Sequence, residues 1–204
     1  MSTVDENPPP AGRGRGRVRL LRPADRAPER GATAVEFAIV SIPLFMLLFA
    51  IMEGGLLMRS HLSVSNAIGE AARRGAVAAT DSDADWRILQ EFRSRVIVPD
   101  GQVARIVVFR ADTPDAAPPA ACLAGATTST CNVYTGADLS KTVEQITCDA
   151  GVGWCPSERK ADAEAPDLIG VWVEADHQFA TGMFGAELTF DRTAVRPLER
   201  KRAI

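Results

Sequence analysis

Gly31 and Glu36 are the two residues of this chain whose types and spacing could do chemistry together: a peptide bond cut after glycine, and a carboxylate left near the new amino terminus. The stretch runs Arg30, Gly31, Ala32, Thr33, Ala34, Val35, Glu36, Phe37 and then continues without a charge to Met52. A peptidase acting at a membrane must hold its scissile bond extended, and a residue without a side chain permits close approach. If the bond between Gly31 and Ala32 is cut, Glu36 falls in the first turns of a helix that begins at Ala32. The positive helix end favours a carboxylate there, and a neighbouring subunit's ammonium can pair with it. A carboxylate at the margin of an apolar segment is costly and usually functional, although snorkelling and interfacial water reduce the cost at a helix end. A chance glycine and a snorkelled glutamate are the bland alternatives.

Other candidate chemistry is sparse. His61 and His177 are the two histidines, and neither sits in a motif for a base or a metal ligand. Asp81, Asp83 and Asp85 alternate, but they lack the glycine and closing glutamate of a calcium loop and read as a solvated, helix-capping acidic patch. The Gly12–Arg17 run, GRGRGR, has the look of a nucleic-acid tract but precedes an apolar span, where a cytoplasmic leader meeting anionic lipid is more economical. There is no phosphate loop, nucleophile elbow or dinucleotide fingerprint. The expectation is therefore a protein that is not an enzyme and needs no cofactor or metal.

Several elements must position Gly31 and Glu36. The run FAIVSIPLFMLLFAIM, extended by Ala34, Val35 and Leu56 to Met58, meets the need of a membrane span for about 20 mostly apolar residues. The expected span is about 34–57. The leader, residues 1–31, carries seven arginines against four carboxylates, so its amino end should stay cytoplasmic and the carboxyl part should be exported, to a periplasm or the cell surface. A secretory signal would be cut just after its apolar core, yet the A-x-A-like site at Ala76, Val77, Ala78 lies far beyond Met52. The apolar helix is thus expected to be retained. A plain single-pass anchor is the remaining alternative, and Glu36 is what distinguishes the two.

Basic leader, small residue, five residues ending in a carboxylate and then a long apolar helix is the order of type IV pilin-like precursors. Residues 30–75 resemble the TadE-like domain of tight-adherence (Flp-type) pilus systems, through Gly31, Val35, Glu36, Phe37, Pro43, Glu53 and the stretch Asn66, Ala67, Glu70, Ala71, Ala72, Arg73. The resemblance implies a pseudopilin or minor pilin, cut between Gly31 and Ala32 by a prepilin peptidase and needed for pilus assembly. It also implies that Glu36, Phe37 and Glu53 serve assembly. After Glu53 the family usually has an aromatic, whereas this chain has Gly54 and Gly55.

Beyond the span, Leu57, His61, Val64, Ile68, Ala71 and Gly75 form a stripe at helical spacing, so one helix is predicted over 32–79, kinked at Pro43. The stripe needs a cover, either the chain's own head or the same helix of a neighbour. Residues 80–204 should form an exported α+β head. It would hold a helix from about Trp86 to Arg95 and three antiparallel strands, Val103–Arg110, Leu168–Asp176 and Glu187–Val195, followed by a frayed charged tail from Arg196. An insertion, 112–167, is too long to stand unsupported and holds all four cysteines. Outside the cytoplasm these can form disulfides; Cys122 with Cys131 and Cys148 with Cys155 close the shortest loops, though three connectivities are possible. A zinc site is the rival, disfavoured by the spacing and the lack of a nearby histidine.

The chain carries a net charge of −3, and its basic leader leaves the remainder near −6, a balance that does not favour nucleic acid. The expected partners are the lipid bilayer, a prepilin peptidase, other pilin subunits and membrane assembly proteins. The alternative function is a membrane-tethered adhesin or ligand-binding head, with the helix as anchor only.

Overall fold

The computed structural model describes residues 30–162 and 164–200, and two compact units divide the chain after Phe45. The leader and the last residues of the charged tail lie outside the described residues. Helix α1, Arg30–Ala78, stays helical through Pro43 and is long and apolar enough to cross a membrane. In the first unit it presents Val35, Phe37, Ile39 and Val40 outward, with no polar face to suit water. Ser41 returns its hydroxyl to the Phe37 carbonyl at 2.6 Å, which removes a polar group from that surface.

The second unit is the α+β head. After α1 come α2 (Ala84–Arg95), β1 (Val103–Ala111), the short α3 (Ala120–Leu123), β2 (Cys131–Tyr134), β3 (Leu168–Gln178) and β4 (Glu187–Pro197). The four strands are antiparallel in the order β2-β1-β3-β4. Ile106 and Val108 of β1 and Ile169, Val171, Val173 and Ala175 of β3 share one core with the helices. The alternate residues Val107, Phe109 and Trp172 join the Cys122–Cys131 disulfide in a second cluster, as the two-residue period of a strand requires. β4 is an edge strand whose Glu187, Asp191, Arg192 and Arg196 discourage further pairing.

The stripe on α1 is covered by the chain's own head. Val64, Ala67, Ile68, Ala71, Ala72 and Ala76 are buried in that core. Gly75 marks the closest approach: a Cβ there would lie 2.6 Å from Ile88 Cδ1 and 3.0 Å from Ile169 Cδ1. The helix closes on Ala79, whose φ of 44° is the left-handed position usually given to glycine.

Three local expectations change. A fourth strand, β2, lies inside the insertion and was hidden because it is only four residues long. The tail does not fray at Arg196: β4 runs to Pro197, Leu198 is buried, and Glu199 N–H donates to the Ala76 carbonyl at 2.9 Å. Asp83 stands at the start of α2 without capping it, because Arg87 engages its carboxylate at 2.9 Å.

Candidate functional site

Gly31, Ala32 and Glu36 lie in the opening turns of α1, with exposed side chains at Ala32 and Glu36. A Cβ added at Gly31 would meet nothing within 4 Å among the described residues, so their packing does not require the glycine. Glu36 makes no ion pair among the described residues, and Phe37 beside it is 73% exposed.

Glu53 behaves differently. Although its neighbours Ile51, Met52 and Gly54 are exposed, its own side chain is buried. Its two oxygens accept the Ala180 N–H at 3.2 Å and the Thr181 N–H at 2.6 Å, both from the loop joining β3 to β4. Glu53 therefore tethers that loop to α1 through charge-assisted bonds.

About two turns further on, Ser60 and His61 meet the same hairpin. Ser60 Oγ lies 3.0 Å from Nδ1 of buried His177, while His61 stacks on Phe190 at 4.0 Å between ring centres. The Arg192 guanidinium donates to His61 Nδ1 at 2.6 Å. Partial burial, then the Arg192 charge and His177, hold the His61 imidazole below its ordinary pKa. These histidines fasten the helix to the hairpin.

The insertion is closed by Cys122–Cys131 and Cys148–Cys155, the two local pairs. It is also pinned by a buried polar cluster. Asp85 Oδ2 accepts from Asn132 Nδ2 at 2.7 Å and Tyr134 Oη at 2.9 Å, while its Oδ1 pairs with Arg159 Nη2 at 2.5 Å. Asp85 is thus buried, against the expectation of a solvated acidic patch; Asp81 and Asp83 remain at the surface with Arg87. Burial and the Asp85 charge raise the Tyr134 phenol far above its ordinary range, so it remains a donor. No alternation or spacing marks this cluster, since its members come from α2, from β2 and from a later stretch of the insertion. An open depression of about 430 Å³ beside Cys148–Cys155 is bordered by Thr80, Asp83 and Ile146. Among the described residues no group of three or more His, Cys, Asp or Glu side chains could hold a metal ion.

No curated protein and no solved structure matches this chain. The TadE-like protein family model matches residues 31–73, from the candidate cleavage glycine through Glu36, Phe37 and Glu53 to the helix stripe. The chain therefore carries a TadE-like domain over residues 31–73, joined to an α+β head outside the match.

Proposed function

We propose that this chain is a TadE-like minor pilin or pseudopilin of a Tad/Flp-type pilus, cut between Gly31 and Ala32 by a prepilin peptidase. The observation that carries the reading is Glu36: exposed and without an ion pair among the described residues, in the first turns of an apolar helix, inside the family match. After cleavage its carboxylate meets the Ala32 ammonium of an adjoining subunit. Pairing the two lets the helix leave lipid without an uncompensated charge, which is the dominant cost of moving an ion through an apolar medium. The role is structural, and association proceeds by helix packing rather than by a reaction. The arginine-rich leader stays cytoplasmic and the head with its disulfides is exported. Its partners are the peptidase, pilin subunits, membrane assembly proteins and the bilayer.

Processing is the test. Mass spectrometry of the membrane-extracted protein should find Ala32 as the amino terminus. Gly31→Leu, which the fold has room for, should block that cut and leave the leader attached. Glu36→Ala should still be cut but should reduce surface pili. Intact precursor in cells whose peptidase demonstrably processes another substrate would refute the proposal.

A further inference from the structure

The loop between β3 and β4 carries no charge from Phe179 to Ala186, and it exposes Met183 (45%) and Phe184 (54%) side by side. Several of its backbone N–H groups are satisfied within the protein. Ala180 and Thr181 donate to Glu53, Phe179 N–H donates to the Ala186 carbonyl at 3.1 Å, and Met183 N–H donates to Thr181 Oγ1 at 3.3 Å. Each N–H satisfied in this way lowers the cost of bringing the loop out of water and against lipid.

Glu53 sets the loop's depth. Glu53 lies near the far end of the expected 34–57 span: counting from Ala34, about 20 residues of α1 at 1.5 Å each cover about 30 Å, the thickness of the hydrocarbon layer. The loop is held by the Glu53 carboxylate at that level of the helix, where Ile51 and Met52 are also exposed. Phe184 packs near Phe179, at 6.3 Å between ring centres, so the apolar tip is an organised patch.

We propose that the Phe179–Ala186 loop is a membrane-seating element, with Met183 and Phe184 entering the boundary between lipid headgroups and acyl chains. The occupant is lipid, because Glu53 ties the loop to α1 where the apolar run ends, and the patch carries no charge or free polar side chain suited to a soluble partner. Seating the loop gives the head a second point of contact with the bilayer besides α1. The proposal rests on α1 being a membrane span.

The natural cysteines are all in disulfides, so a single introduced cysteine can carry a nitroxide label. The full chain, with Met183→Cys, Phe184→Cys, Val152→Cys or Leu48→Cys, is reconstituted into phosphatidylcholine–phosphatidylglycerol vesicles. Spin relaxation is then measured with oxygen, which partitions into lipid, and with a water-soluble nickel chelate. Val152, exposed on the insertion at 56%, is the water reference, and Leu48 is the span reference. The oxygen-to-nickel accessibility ratio at 183 and 184 is expected to exceed that at 152 by roughly tenfold, as for side chains seated ~5–10 Å into the boundary. Glu53→Ala should pull the ratio at 184 toward that at 152. Ratios at 183 and 184 equal to that at 152, with Leu48 still in lipid, would overturn the seating alone. A nickel-accessible Leu48 would overturn the span and the seating with it. Exclusion of both relaxers at 184 would point to a second copy covering the patch and would also overturn the proposal.

Discussion

At the scale of single residues, Asp85 and Arg159 carry the greatest energetic stake in the head. Both are buried, and Arg159 Nε and Nη1 have no hydrogen-bond partner among the described residues. The guanidinium instead lies 4.6 Å from the centre of the Trp154 ring, where attraction to the π face compensates in part. Removing one charge strands the other in a dry site, at a cost of about 3–5 kcal/mol. Asp85→Ala should therefore lower the melting temperature by on the order of 10 °C. Replacing both charges, as in Asp85→Leu with Arg159→Met, should recover much of that loss, since a packed apolar pair no longer has ions to desolvate. Thermal melts of the detergent-solubilised protein followed by tryptophan fluorescence check both, with Trp154 as an adjacent reporter. Additive losses in the double variant would show that the two charges are not coupled.

At the scale of elements, the contact of α1 with α2 and β3 depends on a missing side chain. Gly75→Val would drive its branched carbons into Ile88 and Ile169, an overpacking worth about 1–3 kcal/mol. Gly69, on the same helix, has nothing within 4 Å of a built Cβ. Gly69→Ala should stabilise by roughly 0.5–1 kcal/mol through helix propensity alone. Opposite signs from two glycine substitutions in one helix, read in the same melts, would establish that packing rather than backbone freedom keeps Gly75. The insertion is an element of another kind, held by α2 as well as by its disulfides. Trp86 Nε1 donates to the Lys141 carbonyl at 3.1 Å, and Gln90 Nε2 and Arg93 Nη1 both donate to the Leu139 carbonyl.

At the scale of the whole molecule, the two disulfides report the compartment of the head. Bonds of this kind persist outside the cytoplasm and are reduced within it. If the head is exported, a membrane-permeant maleimide added to intact cells should label none of the four cysteines, and all four should react after reduction and denaturation. Labelling before reduction would place the head on the cytoplasmic side and reverse the topology assigned to the arginine-rich leader. The same experiment on Gly31→Leu tests whether export is independent of processing, as expected if the charge balance around the span, not the cut, sets orientation.

Much of the architecture was legible because it is written in local chemistry. An uncharged run of span length, a helical stripe, β-branched strands and closely spaced cysteines each act over a few residues, so Arg30–Ala78, β1, β3, β4 and both disulfides are readable from the chain. The Gly31–Glu36 spacing is of the same kind. Three-dimensional packing decided the rest. Asp85 follows two surface aspartates in an alternating run, and only the arrival of Asn132, Tyr134 and Arg159 from distant positions makes it a buried anchor. Glu53 resembles any carboxylate at the end of a span until the β3–β4 loop delivers two N–H groups to it. Sequence determined which segments form and which is apolar enough for lipid, because those follow from neighbouring residues. Which charges are buried, and what covers the α1 stripe, depended on the meeting of groups far apart in the chain, 47 residues for Asp85 with Asn132 and 128 for Glu53 with Thr181, a relation that no local pattern encodes.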